Sequence, residues 1–263
     1  MPSTTDITVS QLARLIGLPT SPAIIDVRSD ADFAADPRLI PGAQRRDCDA
    51  VASWSNDYAG RVVIVVCRDG AEQSAGVGAW MRHQGLDAQR LEGGYAAWRE
   101  DGQLLLRTDK VPGRGVGRTV WVTRARPKVV RIACPWLIRR FVDPAAVFLF
   151  VAPLEVDSVG HRFQATPFDV ANAFWSDRGD KCTFDVMVEE FGLASEALAR
   201  LAVIVRGADT GRLDLAPQSA GLLAASLGYS RIYRDDLAQL DAAMALYDAF
   251  YRWSRDAIGE THT

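Results

Sequence analysis

The chain is poor in histidine, cysteine and long apolar runs, and each shortage excludes a class of protein. Three histidines in 263 residues leave no basis for a His-rich metal site. Four cysteines, at positions 48, 67, 134 and 182, are too few and too scattered for a disulfide framework. In a reducing compartment such cysteines are packed, catalytic or ligating. The longest nearly unbroken apolar stretch, residues 145–154, is half the length of a membrane span. No basic segment followed by an apolar run marks the first twenty residues, so no signal peptide is expected and the chain reads as soluble and cytoplasmic. No repeat of 20–50 residues is visible, which excludes a solenoid. A net charge of −3 and a sequence pI near 5.7 give no global reason to expect nucleic acid. What remains, with 48% apolar and 24% charged residues, is an ordinary globular chain of one or two domains.

The charge is unevenly placed. Residues 107–140 hold ten basic side chains and one acid, Asp109, a local charge of +9 that leaves −12 on the remainder. Inside this run, residues 108–118 are glycine-rich, polar and aperiodic, with little apolar surface to bury. They read as a linker between domains at 1–107 and 119–263. No helix-turn-helix or winged-helix pattern precedes the basic run, so contact with nucleic acid is not expected.

The first domain alternates strands and helices. Thr8 and Gln11 have capping-box spacing, followed by Leu12, Leu15 and Ile16 on one helical face. Residues 23–27 and 62–66 are short β-branched runs without alternation, as in strands buried on both faces of a parallel sheet. Residues 74–84 have a helical pattern stopped by Gly85, 88–91 a short strand, and 95–99 begin another helix. The expected fold is a small open α/β sheet. Its strongest chemical signal is Cys67 at the carboxyl end of a buried strand, where open parallel sheets bind ligands. The loop Arg68-Asp-Gly-Ala-Glu-Gln73 would aim backbone N–H groups inward, and a helix starting near Ser74 would add partial positive charge. Together they would lower the thiol pKa and hold an anion. Gly70 supplies a residue tolerant of positive φ, and Arg68 and Ser74 could add donors. The competing reading is a small cysteine packed at the end of an apolar strand.

Ile25-Asp-Val-Arg28, Leu39-Ile-Pro-Gly-Ala43, Cys67-x-x-Gly70 and Leu91-Glu-Gly-Gly-Tyr-Ala-Ala-Trp98 follow one another as do the signatures of a rhodanese domain, which residues 1–107 resemble. The resemblance implies a parallel sheet with flanking helices and a reaction that passes sulfane sulfur through a cysteine persulfide, with no cofactor required. Carried over, Cys67 is the nucleophile. Arg68, Asp69, Gly70, Ala71, Glu72, Gln73 and Ser74 form the substrate cradle, and Asp26 and Arg28 pair beneath it. The implied partners are a small thiosulfate-like sulfur donor and a thiol acceptor. Three positions depart from the family pattern. Leu39 replaces a His before Ile-Pro-Gly, and Gln73 stands where many relatives carry a cation. The loop from Cys67 to Gln73 is seven residues long, where ordinary sulfurtransferases have six. Longer loops resemble those of arsenate reductases and dual-specificity phosphatases, which hold larger tetrahedral oxyanions, and Glu72 would oppose an anion if it pointed inward. Cys48 is either a resolving thiol or a packing residue, since nothing in the sequence places it near Cys67.

The second domain reads as mostly helical α+β. Residues 119–123 alternate like a half-buried strand, and 148–151 read as a second one. Pro135 suits the first turn of a helix that would carry Trp136, Ile138, Arg139 and Arg140. Leu237, Leu240, Met244, Tyr247 and Tyr251 recur at spacings of three and four, the stripe of one long amphipathic helix. Arg131-Ile-Ala-Cys-Pro-Trp-Leu-Ile-Arg-Arg-Phe-Val-Asp143, Arg178-Gly-Asp-Lys-Cys-Thr-Phe-Asp185 and Ile204-Val-Arg-Gly-Ala-Asp-Thr210 resemble the C-terminal domain of the chromate resistance protein family. That family is tied to chromate resistance, and some members act as chromate-responsive regulators. The resemblance implies chromate handling or sensing without supplying a reaction. Cys134, Arg139 and Arg140 could meet a divalent tetrahedral oxyanion through guanidinium forks and a thiol. Asp177, Asp180, Cys182, Asp185 and Asp209 form an acidic and thiol set whose acids could instead hold a divalent metal. A structural reading, caps and Arg–Asp pairs, competes with both. Two function classes stay open: a rhodanese-type sulfurtransferase or oxyanion-handling enzyme using Cys67, and a non-catalytic sensor or binding protein for a chromate-like oxyanion.

Overall fold

A computed structural model describes residues 5–113 and 118–260 and divides the chain into two compact units. One comprises residues 1–109 with 140–143, the other 110–139 with 144–263. Part of the expected linker, residues 114–117, lies outside the described residues. Its first residues are ordered: Thr108–Lys110 form a short 3-10 turn in which Thr108 is buried.

In the first unit the elements run β1 (Asp6–Ile7), α1 (Val9–Leu15), β2 (Ala23–Asp26), α2 (Asp30–Ala35), β3 (Arg38–Leu39) and β4 (Gln44–Arg45). They continue through α3 (Val51–Trp54), β5 (Val63–Val66), α4 (Glu72–His83), β6 (Ala88–Leu91), α5 (Gly94–Glu100) and β7 (Leu106–Arg107). A five-stranded sheet in the order β1-β6-β5-β2-β4 is parallel at every junction. Strands β3 and β7 form a separate antiparallel pair. The expected capping box closes α1: the Gln11 N–H donates to Thr8 Oγ1 and the Thr8 N–H to Gln11 Oε1. Strands β2 and β5 are buried along their whole length, Asp26 at the end of β2 included, as runs without polar alternation require. Side chains 23, 25 and 27 of one and 63, 65 and 67 of the other alternate onto a single face, where Trp54, Tyr58, Val77 and Met81 cover them. Helix α4 begins at Glu72, two residues before the expected start. Ala71, not Ser74, is its cap residue, so Ser74 lies in the first turn and is fully buried.

The second unit carries β8 (Val120–Arg124), α6 (Val130–Leu137), β9 (Val147–Val151), α7 (Val156–Phe163), β10 (Thr166–Pro167) and α8 (Thr183–Glu190). Then follow α9 (Glu196–Thr210), α10 (Gln218–Ile232) and α11 (Asp236–Asp256). Its three strands form a parallel sheet in the order β10-β8-β9. One aromatic group centres on Trp121, which meets Phe168, Trp175 and Phe191 edge to face. A second centres on Trp136, packed against Phe184, Tyr247 and Tyr251. The amphipathic stripe holds for Leu240, Met244, Tyr247 and Tyr251, all buried, but Leu237 at the helix start is exposed.

Pro135 does not open its helix. The segment before α6 is clamped: Ser226 Oγ accepts the Val129 N–H at 2.8 Å, the Tyr247 hydroxyl donates to the Val129 carbonyl at 2.8 Å, and the Gln239 amide donates to the Pro127 carbonyl at 2.7 Å. These bonds hold Val129 at φ 24°, a strained conformation for a β-branched residue. The helix therefore starts at Val130 and Pro135 falls in its interior. The missing Pro N–H leaves the turn one bond short. The next turn, Ile138–Val142, opens into a π-helix that carries Arg139 and Arg140.

Candidate active site

The ends of β2 and β5 lie side by side, with Asp26 in register with Val66 and the Val27 N–H on the Val66 carbonyl. Cys67 follows directly. Its side chain is almost fully buried, yet it lines an 840 Å³ cleft together with Ser29, Asp32, Cys48, Arg68, Asp69 and Glu72. The sulfur lies 3.1 Å from Ser74 Oγ, and its thiol donates to Asp69 Oδ1 at 3.7 Å. Asp69 also accepts the Ala71 N–H at 3.1 Å, so one loop amide is already taken by a carboxylate. That bond, and the neighbouring Arg68, hold the Asp69 carboxyl below its ordinary value.

The loop keeps its shape because a second segment clasps it from below. The Tyr95 and Ala96 N–H groups donate to the carbonyls of Cys67 and Arg68, each at 2.9 Å. Gly70 has φ 74°, and a Cβ there would meet the Leu91 carbonyl oxygen at 2.7 Å and the Gly93 nitrogen at 2.8 Å. Gly94 has φ 60°, and its Cβ would meet the Cys67 carbonyl oxygen at 2.5 Å and the Asp69 nitrogen at 2.8 Å. Two backbones thus approach within a distance only glycine permits. Asp26 and Arg28 form a buried ion pair at 2.6 Å, and Arg28 lies 3.7 Å over the Tyr95 ring. Its other N–H groups go to the carbonyls of Asp36 and Arg38. Burial, then the Asp36 carboxylate, pushes the Tyr95 hydroxyl up to about 12, so it stays protonated.

The electrostatics of the cleft differ from a bare anion cradle. Asp32, Asp49, Asp69 and Glu72 line it against a single guanidinium, Arg68. Arg68 is itself exposed and lies 3.6 Å from Asp32 and 3.5 Å from Asp69. Gln73 is half-buried and also lines the cleft.

In the second unit the structure brings together part of the expected set. Asp177, Cys182 and Asp209 line a 370 Å³ cleft with Asp169, Lys181, Arg206 and Arg212. Cys134 is fully buried, and desolvation, with Cys182 next in size, pushes its thiol well up. Arg139 is absent from the cleft: it pairs with Asp241 at 2.9 Å and stacks on Phe148. Arg140 does not line it either. The guanidinium-and-thiol oxyanion set therefore does not assemble there. Among the described residues no three His, Cys, Asp or Glu side chains converge as metal ligands. Cys182 is a buried thiol pushed far above its ordinary value by desolvation and then by Asp185. Sequence reasoning passed over Asp169, which accepts from Arg124 and Thr183 and faces Arg131 at 3.3 Å. It is an isolated Asp in a turn at φ 51° with no motif around it.

Burial, then the Asp169 carboxylate, pushes the Asp209 carboxyl up from 3.8 to about 6. Between these values the folded chain keeps a proton that the unfolded chain releases, so this group's contribution to stability falls as pH rises from about 4 to about 6. Asp209→Asn removes the charge penalty. Its Tm should exceed that of the native chain at pH 7.5, and the difference should vanish near pH 4. A lower Tm at pH 7.5 would mean that the charge is stabilising.

Comparison with known proteins finds relatives of both parts of the chain. A family model described as "ChrB, C-terminal domain" matches residues 121–254, just over half of the chain. The chain belongs to this family. A rhodanese-like domain model matches residues 8–101. Protein ChrB of Cupriavidus metallidurans is 34% identical over 135 residues, covering 50% of this chain and 39% of that protein. The match thus spans well under half of the relative's length. Among solved structures, a rhodanese-like domain protein from Staphylococcus aureus is 31% identical over 36% of this chain and 90% of that one, with a TM-score of 0.32. SSP1007 from Staphylococcus saprophyticus is 27% identical over 37% and 96%, with a TM-score of 0.33. Among the described residues no helix is long and apolar enough to cross a membrane.

Proposed function

We propose that the first unit is a rhodanese-type sulfurtransferase, working in the cytoplasm in the context of chromate resistance. The observation that carries this reading is Cys67 at the floor of an open cleft, at the carboxyl end of the central strand and 3.1 Å from the Ser74 hydroxyl. The Cys67 thiolate attacks the outer sulfur of a sulfane donor. The donor S–S bond breaks, sulfite leaves when the donor is thiosulfate, and Cys67 carries a persulfide. The Ser74 hydroxyl donates to whichever sulfur bears the charge. A thiol acceptor then attacks the terminal sulfur, and the Cys67 thiolate is restored. No step calls on a cofactor.

The acidic cleft bears on the donor. Four carboxylates facing one guanidinium repel a dianion, so an organic hydropersulfide, which reacts in its uncharged protonated form and leaves as a thiolate, should label Cys67 faster than thiosulfate does. The full chain is incubated with each donor and weighed intact. The expected first product is a gain of one sulfur atom, mapped to Cys67 and absent in Cys67→Ser. If no donor labels the chain while chromate or sulfate raises its Tm, the protein binds oxyanions and does not transfer sulfur.

A further inference from the structure

We infer that Cys48 is the resolving thiol of this site: it displaces a leaving group carried on the Cys67 sulfur and closes a Cys48–Cys67 disulfide. This rests on Cys67 being the reacting thiol proposed above. Cys48 is remote in sequence, in the loop between β4 and α3, but the fold brings it to the wall of the same cleft. Its side chain packs against the buried group that contains Cys67, Val77 and Met81. The loop is fixed and not a free tether. The Asp47 carbonyl accepts the Trp54 indole N–H at 2.8 Å and the Ala50 N–H at 3.3 Å, and Asp47 Oδ1 accepts the Asp49 N–H at 3.0 Å. Cys67 is nearly inaccessible while Cys48 is half-buried, so the nearer thiol has the advantage over any thiol arriving from solvent.

The step balances within the pair. The Cys48 sulfur attacks the inner sulfur of the Cys67 persulfide, a new S–S bond joins the two cysteines, and the old S–S bond breaks. The terminal sulfur departs as hydrosulfide with the proton from Cys48. Burial, then Asp49 and Asp47, push the Cys48 thiol up, so its proton must pass to the departing sulfur as the Cys48 thiolate forms and attacks. Two equivalents of an external thiol return the pair to its dithiol form.

Two reagents separate this inference from sulfur transfer itself. Diamide, a diazene, adds to one thiolate and leaves as a hydrazine when a second thiol attacks the same sulfur. With diamide the native chain should lose two hydrogens, mapped to Cys48–Cys67, while Cys48→Ser should keep the adduct on Cys67. With the sulfane donors the native chain should release sulfide and end as the same disulfide, while Cys48→Ser should hold its added sulfur at least tenfold longer. No Cys48–Cys67 disulfide with diamide overturns the inference. A persulfide equally long-lived in both chains overturns it as well. A disulfide with diamide, with no sulfur taken from any donor, supports Cys48 as the partner thiol and removes the sulfurtransferase reading alone.

Discussion

Asp26→Ala should destabilise the first unit by about 3–5 kcal/mol, the cost of stranding one member of a buried ion pair. Arg28 and Asp26 are both nearly inaccessible, and the Arg28 Nε reaches both carboxylate oxygens, at 3.1 and 2.8 Å. The same carboxylate accepts the Arg28 backbone N–H at 2.9 Å. Removing it leaves a guanidinium with no counter-ion over the Tyr95 ring, where water cannot replace the lost partner. A stranded charge, and not a lost attraction, makes up most of this cost. The double variant Asp26→Ala with Arg28→Met should therefore recover a large part of the stability. Hydrogen exchange is the suitable measurement, because a chain of two compact units need not unfold in one transition. Protection of β2 and β5 should fall in the single variant and partly return in the double. Equal losses in both would place the energy in packing and not in charge.

Gly94→Ala should be nearly as costly to the fold and more costly to the site. An alanine at φ 60° costs roughly 1–2 kcal/mol in itself. The added methyl must also displace the Cys67 carbonyl and the Asp69 nitrogen, backbone atoms with no flexible end to yield, at about 1–3 kcal/mol more. The displaced atoms are those that present the sulfur, so labelling of Cys67 should slow on the order of 100-fold, as expected for a misplacement near 1 Å. Gly85 offers the control. It too has positive φ, at 79°, but faces open space, so Gly85→Ala should cost only the conformational part and leave labelling unchanged. Similar labelling rates in the two variants would show that the clasp does not position the thiol.

The thiol site was legible because its signals are local. A β-branched run ending in Cys67, a glycine three residues on, and a helix beginning nearby fix a strand, a turn and a helix start without tertiary information. Apolar β5, and β2 apolar up to Asp26, announced a sheet buried on both faces. What the sequence hid depends on distant partners. The start of α6 is set by hydroxyls on α10 and α11, nearly 100 residues or more away, so a proline suited to a first turn fell in a helix interior. Cys48 approaches the Cys67 cleft through sheet order, which spacing does not encode. Arg139 and Arg140 looked like an oxyanion fork beside Cys134, but both sit on a π-helical turn and Asp241 claims Arg139. Asp169 carries no motif, and its importance rests only on the cations that fold around it.

The strained backbone at Val129 joins two places that the chain keeps far apart. Its N–H and carbonyl are gripped by side chains from α10 and α11. A left-handed valine costs on the order of 1–3 kcal/mol to hold. The grip resembles a drawn latch: both polar groups of one strained residue are committed to the two C-terminal helices, so where α6 begins is decided by how those helices pack.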